Sequence, residues 1–508
     1  MTTMRKNIAL FSIIALMSSC GESISDTYKD YSGDGEIRYV GKVSDLNAKP
    51  GWQHIMLDWE NSKDPIVDSV EIKWVAGDVR DSVFLPSGTN TYDIRNLTSG
   101  SSYEISVMSV DKNKNESLPQ TAYLRVYNED HEMVQAFTRI ISKSYFLKNH
   151  LLMTFTGWSQ DIEEAYLTYT RKSTGKEERF DLTEDVVNVL HADIPDVDSS
   201  KPVQLYRNGY IQDCPDLIVN SPIEIDKETA YDSEFKDELK RQFGYDQIIP
   251  DSWTNNVETL DIDWNMTNLL DLFKMPKLKT LNLGKNRYVR ADQQNDAEKG
   301  QSRFVENGVT DWVLAKMHEL TGLEVNRYDN HFKALASASY IHHKVHEGEP
   351  SHKMIDMSKA KVTVLPADDE ELTTMGWNSH AEYLVDGKDD TSWKPYAMDA
   401  STEYTIDISI GAAKKVRGMR FVQSYYPDAE ASSRVLSPEI IKIYKSANGL
   451  FYPIATYREE THVGNSTGEV NYINFAEATE IENIRIVVVT PAYFKKFQIS
   501  IAEVGLFE

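Results

Sequence analysis

Apolar and polar residues alternate along most of this chain. Ile55-Met-Leu57-Asp-Trp59, Val70-Glu-Ile72-Lys-Trp74-Val75 and Tyr103-Glu-Ile105-Ser-Val107 all repeat with period two. That period predicts strands with one buried face. Residues 38–126 read as all-β and form a first β-sandwich. In residues 127–225, Leu151 to Phe155 and Glu164 to Tyr169 repeat the layout of Ile55 to Trp59 and Glu71 to Trp74, which predicts a second, diverged β-sandwich.

From 226 to 345 the period changes. Ser233 to Phe243 has helical spacing, and so does Val309 to Leu320. Three short units share one pattern: Val257-x-x-Leu260-x-Ile262, Leu278-x-x-Leu281-x-Leu283 and Leu320-x-x-Leu323-x-Val325. Their central leucines step by 21 residues and then by 42, with a polar loop from Asp292 to Ser302 in the longer gap. This resembles the leucine-rich repeat. It predicts a short, irregular α/β unit with parallel strands, too small to stand without its neighbours. His342 and His346 would share a helix face beside Glu347, the outline of a metal site. Against that, Glu347-Gly-Glu-Pro350 reads as the start of a polar linker, 346–354.

Alternation returns after 355, in Tyr404 to Ile410, Val416 to Phe421, Pro438 to Tyr444, Ile484 to Val489 and Ile499 to Val504. Before these strands lies Asp386-Gly387-Lys388-Asp389-Asp390-Thr391-Ser392-Trp393. Hard oxygens around a glycine turn suit Ca2+, while the loop taken alone reads equally as a solvated acidic turn.

Composition narrows the function. With 54 Lys and Arg against 79 Asp and Glu, the net charge is −25. That disfavours nucleic acid and anionic lipid as partners. Arg5-Lys6 and the short apolar run Ile8 to Met17 make residues 1–19 a signal peptide. Ser18-Ser19-Cys20-Gly21 resembles a bacterial lipoprotein cleavage site, departing from it at Met17, where Leu is usual. It implies lipidation of Cys20, with 20–37 as a tether and the outer membrane, facing the cell surface, as location. The other cysteine, Cys214, is then without a disulfide partner and is expected as buried filler. Beyond the signal no apolar run is long enough to span a bilayer. No nucleophile elbow, zinc-protease, P-loop or dinucleotide motif occurs, so an enzyme is not expected.

Further resemblances rest on particular residues. Leu97 followed six residues on by Tyr103, with Trp59 upstream, resembles the tyrosine corner and core Trp of fibronectin type III domains. The Asp386-Gly387-x-x-x-Thr391-x-Trp393 loop resembles the discoidin family (coagulation factor 5/8 type C, galactose-binding-like). So do the Tyr404-Thr-Ile-Asp407 strand, the Tyr444-x-Ser446-x-Asn-Gly449 hairpin, Ile484-Arg-Ile486 and the late Glu503-Val504. The resemblance covers 355–508. It implies an eight-stranded jelly-roll sandwich and a structural Ca2+ held by Asp386, Asp389, Thr391 and Glu503. By loop position it implies a glycan site using Trp377, His380, Arg434, Tyr493 and Phe494. The whole resembles surface lipoproteins of Bacteroidetes-type bacteria. It implies an accessory of polysaccharide capture, taking a polysaccharide or glycoprotein glycan and working beside an outer-membrane transporter complex. The alternative is a protein-binding adhesin or transporter-docking subunit acting through the leucine-rich unit.

Overall fold

The computed structural model describes residues 39–243, 248–290, 302–367, 370–376, 379–425, 436–438, 440–458, 466–490, 492–493 and 496–508. The protein is mainly β and multidomain, and forms two compact units. One comprises residues 1–139, 159–165 and 207–221; the other comprises 140–158, 166–206 and 222–508.

The first sandwich contains β1 (Ser44–Gly51), β2 (His54–Glu60), β3 (Val67–Ala76), β4 (Val79–Pro86), β5 (Thr91–Ile94), β6 (Tyr103–Asp111) and β7 (Gln120–Leu124). Its sheets run β1-β2-β5 and β4-β3-β6-β7. The alternating residues meet between them: Ile55, Leu57, Trp59, Ile72, Trp74, Tyr103 and Ile105 are all buried in one core. Tyr103 is 1% exposed, and its hydroxyl oxygen accepts the Ser99 N–H at 3.1 Å. Tyr103→Phe leaves that amide without its acceptor and is expected to cost about 1 kcal/mol in urea unfolding.

The same strand order returns in the next eight strands. These are β8 (Ile141–Leu147), β9 (His150–Phe155), β10 (Ile162–Thr170), β11 (Glu177–Asp181), β12 (His191–Ile194), β13 (Gln204–Gly209), β14 (Ile218–Val219) and β15 (Ile223–Glu224). They form β12-β9-β8 and β11-β10-β13-β14, with β15 on β13.

The leucine-rich segment builds a parallel sheet of β16 (Thr259–Ile262), β17 (Thr280–Leu283), β18 (Glu324–Tyr328) and β19 (Ile341–Lys344). Leu260 pairs with Leu281, as the 21-residue step requires. Leu281 pairs with Val325, however, not Leu323, so the second step is 44 residues. The reason is the end of the helix Asn307–Thr321. It closes on Gly322 in the left-handed region (φ 74°), and Leu323 N–H still points back to Met317 O. Leu323 therefore belongs to the helix cap, and the strand starts after it. The unit leans on β8 and β9: Tyr145, Leu147 and Leu152 share a core with Leu260, Leu281, Leu283 and Val325.

The histidine expectation is corrected. Ile341 to Lys344 is a fourth strand, not a helix, because Ile341 extends the apolar row of the sheet beside Val325. His342 Nε2 meets Glu324 Oε2 at 2.6 Å, whereas His346 lies past the strand and meets Asp329 Oδ2 and Lys285 O, each at 2.6 Å. The two rings have separate partners, and among the described residues no three His, Cys, Asp or Glu side chains converge on a metal position.

The last domain contains β20 (Lys361–Leu365), β21 (Glu403–Gln423), β22 (Ile440–Ala447), β23 (Leu450–Arg458), β24 (Val470–Val489), β25 (Ala492–Tyr493), β26 (Lys496–Phe497) and β27 (Ile501–Phe507). The main sheet runs β20-β21-β24-β22-β23, with β27 on β21; β25 and β26 form a separate hairpin. Tyr404 to Ile410 and Val416 to Phe421 are one long strand, not two, with irregular pairing between Ser409 and Lys414. The early part of β21 pairs with β20 and the late part with β27, so one strand serves both ends of the sandwich. Ile406, Ile408, Met419, Phe421, Ile486, Val488, Val504 and Leu506 fill the core.

Candidate functional site

The loop after the short 3-10 turn Ala381–Val385 is built around Asp386. Leu384 and Val385 are buried and fix its start. Gly387 takes φ 77°, a conformation open to glycine without steric cost. Asp386 Oδ1 accepts the Lys388 N–H at 3.0 Å, and the Thr391 hydroxyl donates to both Asp386 oxygens at 3.1 and 3.0 Å. Trp393 fixes its end: it is 1% exposed and exchanges backbone hydrogen bonds with Ile501 at 2.9 and 3.0 Å. Two residues along β27, Glu503 Oε2 accepts the Gly387 N–H at 3.1 Å. The loop and the last strand are thus clasped across 116 residues of chain.

The three acidic residues implied as ligands line one pocket but do not converge on a single metal position. Asp386, Asp389 and Glu503 line an open pocket of about 500 Å3 together with Arg420 and Met354, and Thr391 is bonded to Asp386. Glu503 is 5% exposed. Burial, with Asp386 and Asp389 nearby, pushes its carboxyl up to about 8, while Gly387 N–H and Arg420 pull the other way. Burial and two neighbouring carboxylates favour the protonated acid unless a cation is bound, and carboxylate and hydroxyl oxygens are the donors that Ca2+ takes. Asp389 departs from the implied set. Arg420 Nη1 and Nη2 hold its two oxygens at 2.8 and 2.7 Å. The same guanidinium holds Glu349 at 3.0 and 3.2 Å, and Glu349 accepts the Tyr472 hydroxyl at 2.7 Å. Burial opposes the charge on Arg420, but the two carboxylates raise its pKa well above the ordinary guanidinium range. Of the implied set, Asp386, Glu503 and the Thr391 hydroxyl are the groups that would hold Ca2+, whereas both Asp389 oxygens are taken by Arg420, so the four-residue set is not gathered. Arg420 was missed in the sequence because it sits on the polar face of an alternating strand, where nothing local distinguishes it from a solvated position.

Two of the loops implied for glycan flank the Asp386–Trp393 loop. His380 precedes it, with φ 50°; its ring stacks on Tyr383 at 4.8 Å, and Nδ1 meets Glu382 Oε1 at 3.0 Å. After Trp393, Tyr396 is 48% exposed. Met398 exchanges two 2.8 Å backbone hydrogen bonds with Phe497, joining this loop to the β25-β26 hairpin that carries Tyr493. Trp377, Arg434, Phe494 and the lipidation residue Cys20 lie outside the described residues, as does the side chain of Tyr493.

The polar row on the leucine-rich sheet is bonded along itself. Asn282 Nδ2 donates to Asp261 at 2.7 Å, and Asn326 Nδ2 donates to Asn282 at 2.9 Å. Cys214 is buried, and burial raises its thiol pKa.

The sequence profile of DUF4998, described as a domain of unknown function, matches residues 20–207. No curated protein matches the chain. Among solved structures, the C-terminal domain of a chitobiase from Bacteroides fragilis is 15% identical, over 30% of this chain and 96% of that one, with a TM-score of 0.23. CBM32-3 from a family 31 glycoside hydrolase of Clostridium perfringens is 20% identical, over 30% and 94%, with a TM-score of 0.24. A two-domain fibronectin type III segment of chicken tenascin is 13% identical, over 36% and 97%, with a TM-score of 0.18.

Proposed function

We propose that the chain is a cell-surface lipoprotein that captures a polysaccharide or glycoprotein glycan through its C-terminal sandwich. One observation carries this reading. A single clasped loop, Asp386 to Trp393, is flanked by segments that present the exposed Tyr396 ring and the half-buried His380–Tyr383 stack. Sugar sites pair an aromatic face with a few polar groups. In this proposal the chain is acylated at Cys20, anchored at the outer membrane, binds without turnover and serves an uptake transporter. Trp377, Arg434, Tyr493 and Phe494 complete the site. Docking of a protein on the leucine-rich sheet has less support, since the Asp261–Asn282–Asn326 row spends its hydrogen bonds on itself.

Trp377→Ala and Tyr493→Ala are each expected to weaken binding of the cognate glycan on the order of tenfold or more, with the far-ultraviolet spectrum and melting point unchanged. Isothermal titration against wild type checks this; full affinity in both variants places the site elsewhere.

A further inference from the structure

A second cluster lies within the compact unit that holds the first sandwich. His54 opens β2 between two carboxylates. Its Nδ1 meets Asp93 Oδ1 of β5 at 2.5 Å, and its Nε2 meets Asp216 Oδ2 at 2.8 Å. Asp216 lies on the connection between β13 and β14, 162 residues further along the chain. The same Asp216 oxygen accepts the Trp52 N–H at 2.8 Å. The imidazole is 14% exposed. Gly51 makes the approach possible: a Cβ there would strike both the His54 ring and the Asp216 carboxylate.

We infer that His54 is a proton-controlled latch that fastens the β13–β14 connection to the corner between β1 and β2. As an imidazolium, His54 donates to both aspartates. A neutral imidazole keeps one N–H, so in either tautomer it turns a lone pair toward one of the carboxylates. That contact becomes repulsive and the connection is released.

The groups around the ring support this balance. Asp93 is also held by Arg95 Nη2 at 2.6 Å. Asp213 and Cys214 lie on the same connection as Asp216. Tyr127 reaches Trp52 from beyond β7 and raises no positive charge there. Burial lowers the His54 pKa, but the hydrogen bonds and charges of Asp93 and Asp216 outweigh it and leave the value above the ordinary 6.5. Because the folded-state pKa is raised, the latch contributes its full stability below 6.5 and loses it as pH rises through the folded value.

The test is hydrogen exchange of the full chain from about pH 5.5 to pH 8.5, corrected for intrinsic rates, with the His54 titration followed by NMR. The amides of Trp52 and of residues 211–214, 216 and 217 are expected to lose about tenfold in protection as His54 deprotonates, the scale of one charge-assisted hydrogen bond. His54→Gln is expected to show no such step. Should His54→Gln fail to fold, Gly51→Ala keeps both side chains but forces them apart, and is expected to flatten the step and return the His54 pKa toward its ordinary value. A flat wild-type profile, or a step that persists in either variant, overturns the latch.

Discussion

Replacing Glu469 by alanine is expected to cost about 3–5 kcal/mol in chemical unfolding, because it strands a buried guanidinium. Arg287 follows β17 and Glu469 precedes β24; their side chains are 4% and 0% exposed. Nε and Nη2 each reach a Glu469 oxygen at 2.8 Å, and Nη1 reaches Ser302 Oγ at 2.8 Å. The guanidinium also lies 4.7 Å from the Trp264 ring centre. Next to the pair, Val470 N–H donates to Tyr288 O at 3.1 Å, so the leucine-rich sheet and the C-terminal sandwich meet in backbone as well as in charge. Removing both charges, as Arg287→Met with Glu469→Leu, is expected to cost less than Glu469→Ala alone, since no unpaired ion remains. A double-mutant cycle in urea gives the coupling directly. A loss under about 1 kcal/mol for Glu469→Ala, the range of an exposed pair, would contradict the buried joint.

Chelation is expected to have the next largest effect. If Ca2+ occupies the Asp386–Glu503 pocket at a hundredfold excess over its Kd, it stabilises the fold by about 2.7 kcal/mol. Excess chelator should therefore lower the melting midpoint of the C-terminal sandwich. Glu503→Gln should remove the difference between chelator and Ca2+. In chelator this variant should melt no lower than wild type, because Glu503, pushed up to about 8, is then already largely protonated near pH 7, and a Gln oxygen can still accept the Gly387 N–H. Arg420 stays between Asp389 and Glu349 in both conditions. A midpoint that chelator leaves unchanged would count against Asp386, Thr391 and Glu503 as ligands.

What could be read from the sequence followed from how local each signal was. Half-buried strands write their period directly, so Trp59, Trp74 and Tyr103 were identifiable as core without coordinates. The Asp386–Trp393 loop was legible because Asp386, Gly387, Thr391 and Trp393 stand within eight residues. The third leucine unit was misplaced by two residues because Leu323 serves a helix cap, and a cap leucine and a strand leucine look alike in a repeat count. The i, i+4 spacing of His342 and His346 suggested a helix, but pairing with β18 decided the matter for Ile341 to Lys344. Partners joined only by the fold left no trace. Arg287 and Glu469 are 182 residues apart, His54 and Asp216 are 162, and Arg420 and Glu349 are 71. Each of these residues alone reads as an ordinary polar position.

The central claim is glycan capture, and a glycan array with the folded, Ca2+-loaded chain tests it most directly. The account predicts hits that share one sugar epitope and that disappear with Trp377→Ala. An array without hits, from protein whose melting curve shows the C-terminal sandwich intact, would contradict it.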